Sequence, residues 1–214
     1  MAAMARKRVA ILISGRGSNM AALIEAAKDE SYPAEIALVV SNEADAEGLA
    51  RARSAGIETA VVDHRPFGKE REAFDRALQA VIASRRIDIV CLAGFLRLLT
   101  PWFVQQWQGR LLNIHPALLP AFKGLDTHAR ALAAGVKQHG ATVHFVVPEM
   151  DSGPIVVQAA VPVHHDDTEP TLAARVLAVE HMIYPQALKL VAEERVTIAS
   201  GRCLIDGKPA ETIC

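Results

Sequence analysis

Residues 8–19 read Arg-Val-Ala-Ile-Leu-Ile-Ser-Gly-Arg-Gly-Ser-Asn. An unbroken apolar run, Val9 to Ile13, leads straight into a glycine-punctuated turn, and a helical pattern opens at Ser18. A continuous apolar run bounded by turn residues fits a strand buried on both faces, and such strands belong to parallel sheets covered by helices. Working outward from this first strand, Arg8–Ile13, further strands are expected at Glu35–Ser41, Ile57–Asp63, Ile87–Leu92 and Arg110–Ile114. Helices are expected between them at Ser18–Asp29, Ala44–Ser54, Lys69–Ser84 and Pro101–Trp107. The alternation predicts an α/β fold with a doubly wound, mostly parallel sheet and helices on both faces.

The rhythm changes after about residue 125. Thr127–Ala134 reads as a short helix. Ala141–Val147 and Gly153–Val163 read as strands joined by a turn too short for a helical crossover, so they should pair antiparallel. Pro170–Glu194 reads as a long helix that Pro185 should kink or interrupt. Val196–Ile205 reads as a hairpin around Ser200-Gly201. The expected organisation is a single domain over residues 1–214 with an antiparallel C-terminal extension. Residues 1–115 form its Rossmann-like, phosphate-binding half.

Composition narrows the function classes. The chain has 214 residues, 51% hydrophobic and 22% charged, which suits a packed globular protein. A formal net charge of −1 offers no electrostatic footprint for nucleic acid or an anionic membrane. The apolar run near the N-terminus is too short for a signal peptide, and no stretch has the length of a membrane span. Cys91, Cys203 and Cys214 are odd in number and far apart, so neither a disulfide framework nor a zinc site is expected, and a cytoplasmic setting fits.

Ser14-Gly15-Arg16-Gly17-Ser18-Asn19 joins a strand's carboxyl end to a helix start, where open α/β sheets bind ligands. Free N–H groups and the helix dipole favour a phosphate there. The loop lacks the third glycine of a dinucleotide fingerprint, that position being Met20, and lacks a P-loop ending. A single phosphate fits better than a pyrophosphate. The plainer reading is a tight turn capped by Ser18 or Asn19.

Leu111-Leu112-Asn113-Ile114-His115-Pro116 places two polar residues at the end of an apolar strand, two positions apart and so on one face. Pro116 favours an extended backbone at His115. An amide and an imidazole side by side suit acyl transfer to an amine: both could donate to the oxyanion formed when the amine attacks a carbonyl. A nearby carboxylate would orient the ring and favour its charged form, and Asp151 in the turn Pro148–Pro154 is the candidate. Spacing does not bring Asp151 to His115. Taken singly, Asn113 or His115 reads more often as a satisfied structural polar group, and Asp151 as turn chemistry.

Other polar clusters carry less. His164-His165-Asp166-Asp167 has metal-ligand residue types, but adjacent residues converge poorly on one ion, and a loop before a helix capped near Thr168 is expected. His144 alternates with Val143 and Phe145, which puts it either at the border of the site or in solvent.

Ser14–Asn19 (SGRGSN), Ser41–Ile57 (SNEADAEGLARARSAGI), Cys91–Leu99 (CLAGFLRLL), Gly109–His128 (GRLLNIHPALLPAFKGLDTH), His139–Val146 (HGATVHFV), Asp151–Gln158 (DSGPIVVQ) and Glu180–Leu188 (EHMIYPQAL) together resemble the phosphoribosylglycinamide formyltransferases of purine synthesis. The resemblance runs colinearly over essentially the whole chain. It implies a small-molecule enzyme using 10-formyltetrahydrofolate as co-substrate and no metal. It further implies that Asn113, His115 and Asp151 are catalytic, with Asp151 supporting a protonated His115. Gly17, Ser18 and Asn19 would contact the substrate phosphate and Glu180 the ribose hydroxyls. The folate would lie against Arg71, Leu96, Arg97, Leu98, Leu99, Asn113, Val147, Pro148, Glu149, Met150 and Asp151. A homodimer is compatible with the resemblance but not specified by the sequence.

Two plainer readings compete with the implied contacts. Leu96–Leu99 after a strand reads on physical grounds as core. Arg71 lies in a charged helical stretch that suits a solvated face. Glu180 is better supported, because it sits among apolar residues where a charge needs a partner or ligand. Many relatives carry Asp-Gly-Gly-Pro where this chain has Asp151-Ser152-Gly153-Pro154, so a positive φ at Ser152 would strain the turn. A related enzyme with another acceptor, such as an amino sugar nucleotide, and a non-catalytic phosphate-binding module are the alternatives.

Overall fold

The computed structural model describes residues 5–209 and 212–213. The chain forms two compact units, one ending at Leu112 and the other beginning at Asn113.

The first unit contains β1 (Lys7–Ile13), α1 (Ser18–Ala27), β2 (Ala34–Ser41), α2 (Glu47–Ser54), β3 (Thr59–Val61), α3 (Arg71–Ala83), β4 (Ile89–Leu92), α4 (Pro101–Gln106) and the start of β5 (Leu111–His115). A single 3-10 turn, Arg65–Phe67, precedes α3. Strand order is β4-β1-β2-β3, with every pairing parallel. Val9 to Ile13 are each fully buried, as the unbroken apolar run requires. Burying one such aliphatic side chain contributes about 1.5–3 kcal/mol, so this strand anchors the unit. Phe74, Leu78 and Ile82 recur at helical spacing on α3 and are also fully buried.

The second unit contains the end of β5, α5 (Thr127–Ala133), β6 (Gln138–Phe145), β7 (Ile155–Pro162), α6 (Glu169–Ala192), β8 (Val196–Ala199), β9 (Arg202–Ile205), β10 (Lys208–Pro209) and β11 (Thr212–Ile213). Strands β6 and β7 pair antiparallel, as their short connection demands, with a register shift between Val143 and His144. Helix α6 packs on both. It opens with a reciprocal cap: Thr168 Oγ1 accepts from the Thr171 N–H, and Thr171 Oγ1 accepts from the Thr168 N–H at 2.9 Å. Strands β8 to β10 form their own antiparallel sheet. The β8–β9 hairpin turns through Ser200 (φ 49°) and Gly201 (φ 75°), a left-handed pair matching the twist of its strands.

Two expectations need correction. Helix α6 is not interrupted at Pro185 but continues through it. Proline removes one donor, but Ile183, Tyr184, Ala187 and Leu188 around it are buried, and their packing outweighs that loss. Strand β3 is also shorter than expected, because the Ile57 N–H bonds back to the Ala52 carbonyl at the end of α2 instead of joining the sheet. Among the described residues no helix is long and apolar enough to cross a membrane.

Candidate active site

The carboxyl end of β5 presents Asn113 and His115 on one face, and the second unit gathers further groups around them. His115 is 5% exposed. Its Nε2 lies 2.9 Å from the Phe122 carbonyl, which can only accept, so Nε2 carries a proton. Its Nδ1 lies 3.5 Å from Asp151 Oδ2. Both ring nitrogens therefore face acceptors, and the ring satisfies both sides only with two protons. The same Asp151 oxygen accepts the Gly124 N–H at 2.8 Å, which ties the Asp151 turn to the loop following β5.

The turn itself is held by its backbone. Asp151 adopts φ 49°, a left-handed conformation that aspartate tolerates better than most residues. Ser152 is not among the positive-φ residues, so the strain expected there is absent. Its hydroxyl donates to the Met150 carbonyl (3.0 Å) and accepts from Lys123 Nζ (2.6 Å). The residue that must be glycine is Gly153: a Cβ there would stand 1.7 Å from the Phe145 carbonyl oxygen.

His144 completes the cluster. It is 2% exposed, because β6 is covered on both faces, so it borders the site and does not face solvent. Its Nδ1 donates to the Phe145 carbonyl (2.9 Å), which leaves Nε2 to accept from Asn113 Nδ2 (3.3 Å). Burial pushes the His144 pKa down, consistent with this neutral form. At 3.9 Å and without a proton on Nε2, His144 makes no ion pair with Asp151. The second N–H of Asn113 makes no hydrogen bond among the described residues. Behind this group His139, 1% exposed, meets Phe122 and His128 edge-on at 5.8 and 5.3 Å. Burial, with His128 and His115 adding to it, pushes the His139 pKa down to about 4. Glu180 sits on α6 at 7% exposure.

Of the remaining expected site residues, Val147–Met150 lead into the Asp151 turn of the second unit, and the others lie in the first unit. Gly17 is the N-cap of α1 in a left-handed conformation, and no side chain caps that helix, so neither Ser18 nor Asn19 takes the capping role. Leu96 and Leu98 are 79% and 60% exposed, which overturns the core reading of Leu96–Leu99. Arg71 is exposed, as a solvated face requires, but its partners lie outside its own helix. Its guanidinium donates to the Leu98 carbonyl (3.0 and 3.3 Å) and the Leu99 carbonyl (3.3 Å). Arg97 stacks on the Phe74 ring at 4.6 Å. Arg71, Leu96, Arg97 and Leu98 line an open cleft of about 490 Å³ with Gly68 and Lys69. Asp75 holds the far end of this loop, accepting from the Thr100 N–H (2.6 Å) and hydroxyl (2.7 Å). Burial pushes its pKa up against those bonds.

Residues 7–188 match the family model described as formyl transferase. The phosphoribosylglycinamide formyltransferase of Escherichia coli K12 is 46% identical over 200 residues, covering 94% of either chain. The chain belongs to the phosphoribosylglycinamide formyltransferase family. A solved structure described as phosphoribosylglycinamide formyltransferase in complex with CHES, from Coxiella burnetii, superposes with a TM-score of 0.92 at 41% identity, covering 98% of this chain and 100% of that one. The human trifunctional purine biosynthetic protein adenosine-3 is 50% identical over 193 residues, or 90% of this chain. This formyltransferase family member spans only 19% of that relative's length.

Sequence reasoning missed three groups that hold the expected residues in place: the Phe122 carbonyl and the Gly124 N–H beside His115 and Asp151, and Asp75 at the end of the Leu96–Leu99 loop. The first two are main-chain groups, invisible in a residue pattern. Asp75 lies on the apolar stripe of α3 between Phe74 and Leu78, and a lone carboxylate there could have signalled a buried polar partner.

Proposed function

We propose that this protein transfers the formyl group of 10-formyltetrahydrofolate to the amine of 5′-phosphoribosylglycinamide, a step of purine synthesis. The single observation that carries the reading is the convergence of Asn113, His115 and Asp151 within a chain of this family. The amine attacks the formyl carbon, a carbon–nitrogen bond forms, and the carbonyl oxygen becomes an oxyanion. Asn113's second N–H donates to that oxygen, a contact that supports about a hundredfold in rate or more, and the positive charge of the His115 imidazolium, its two N–H groups turned to Phe122 and Asp151, stabilises the oxyanion electrostatically. Asp151 holds the ring in place and offsets its charge. Collapse breaks the bond to the folate nitrogen, and a proton passes through water from the attacking amine to that nitrogen, giving formylated product and tetrahydrofolate. The reaction asks for no metal.

Gly17, Ser18 and Asn19 are proposed to bind the acceptor's phosphate, and Glu180 its ribose hydroxyls. Arg71, Leu96–Leu99 and Val147–Asp151 are proposed to receive the folate. The exposure of Leu96 and Leu98 and the cleft beside Arg71 and Arg97 support that part of the reading. A cytoplasmic location and the absence of a nucleic-acid partner belong to the same proposal. They are supported by the free Cys91 and Cys203 and by the near-neutral charge. Whether the enzyme works as a homodimer does not enter the chemistry.

The test is direct. Purified protein is mixed with phosphoribosylglycinamide and 10-formyltetrahydrofolate, and tetrahydrofolate release is followed. Release that depends on the acceptor supports the proposal. Release only with another amine, such as an amino sugar nucleotide, or binding without turnover would replace it.

A further inference from the structure

The glycine loop is clamped by a residue outside it. Gly48, the second residue of α2, donates its N–H to the Gly15 carbonyl at 3.0 Å. A Cβ on Gly48 would stand 2.5 Å from Ile13 Cδ1, 3.1 Å from Gly15 O and 3.3 Å from Gly17 Cα. The fit is reciprocal, since a Cβ on Gly17 would stand 3.1 Å from Gly48 Cα. The start of α2 therefore rests on the end of β1 and on both glycines that flank Arg16. Gly17 holds φ 69° at the start of α1, so its place sets the direction of the first N–H groups of that helix.

We propose that Gly48 is a positioning residue for acceptor binding: α2, through the absence of a side chain at Gly48, fixes where Gly17–Asn19 meets the substrate phosphate. The inference rests on the reading of Gly17–Asn19 as phosphate contacts. Backbone N–H groups bind an anion well only within a narrow distance range, so a displacement of a few tenths of an ångström weakens several charge-assisted bonds together. The chemistry at His115 is untouched by such a shift. The expected signature is a defect in acceptor KM alone.

The experiment compares Gly48→Ala with Gly48→Ala/Ile13→Val, measuring Tm, kcat and the KM of each substrate. Gly48→Ala should raise the KM for phosphoribosylglycinamide about tenfold, with kcat and the folate KM within about twofold of wild type. Ile13→Val removes the Cδ1 atom that the new methyl meets, while the contacts to Gly15 and Gly17 remain. The double variant should regain Tm yet keep the raised acceptor KM. Recovery of KM together with Tm would trace the defect to crowding against β1 and overturn the proposal, as would an unchanged acceptor KM in both variants. If Gly48→Ala does not fold, the double variant decides alone by the same KM. Wild-type enzyme is also assayed with ribosylglycinamide, which lacks the phosphate. Equal KM for the two acceptors would overturn the phosphate reading of the loop and the role of Gly48 with it. Discrimination by wild type that Gly48→Ala retains undiminished would overturn the role of Gly48 alone.

Discussion

His115 Nδ1 stands 3.5 Å from Asp151 Oδ2, although one residue ends a strand and the other turns a hairpin far along the chain. Both side chains are nearly closed to solvent, at 6% and 11% exposure, so the pair is screened little by water or salt. Asp151→Asn keeps the shape and an acceptor oxygen for the Gly124 N–H but removes the charge. It should lower kcat about a hundredfold or more, with KM values for both substrates within severalfold. His115→Ala should do the same. Tetrahydrofolate release under saturating substrates measures both, and near wild-type rates in either would remove that residue from the chemistry.

Asn113 and His144 should act as one unit. His144 Nε2 accepts from Asn113 and so sets the amide's orientation. His144→Phe leaves that donor without its partner and should cost about tenfold in kcat, less than Asn113→Ala. In a double-mutant cycle on kcat the two losses should fail to add by about 1 kcal/mol. Strict additivity would mean that His144 has no part in placing the amide.

The turn carrying Asp151 should discriminate sharply between its two small residues. Gly153→Ala drives a methyl into the Phe145 carbonyl and should destabilise the fold by about 2–3 kcal/mol, read as a lowered urea midpoint. Ser152→Gly should change stability by about 1 kcal/mol or less and leave kcat alone, because Ser152 does not occupy a positive φ. A large rate gain in Ser152→Gly would contradict the geometry described for this turn.

Acid should weaken the fold through its buried imidazoles. His139 is pushed down to about 4, and His128 and His144 are also lowered, in each case chiefly by burial. Between the ordinary histidine value of about 6.5 and pH 4 the unfolded chain binds protons that folded His139 refuses. Stability should therefore fall as pH drops through that window and level off for this group below about 4. Urea unfolding across the window should show a shallower fall in His139→Leu than in wild type. Equal slopes would exclude His139 as a source of acid lability.

Much of the fold was legible because burial on both faces leaves a plain trace: the apolar run at Val9–Ile13 can hardly be anything but an inner strand. The Asn113–His115 pair was legible for a similar reason, since alternate residues on a strand share a face. Asp151 was not placed by any such rule. Its approach to His115 depends on the pairing of β6 with β7 and on a main-chain bond from Gly124, both long-range. Leu96 and Leu98 were misread as core because an apolar residue after a strand says nothing of what covers it. His144 was ambiguous for the converse reason, as alternation gives its side but not what packs there. At Pro185 the local rule was sound, but packing overrode it.

The left-handed backbone at Asp151 bears on which acid can serve there. Aspartate and asparagine enter that conformation readily because their short side chains can bond nearby main-chain groups, whereas glutamate gains no such relief. Asp151→Glu thus keeps the negative charge yet places it on a residue the turn disfavours and an extra methylene from His115. Between the two acidic amino acids, the main chain chooses before the reaction does.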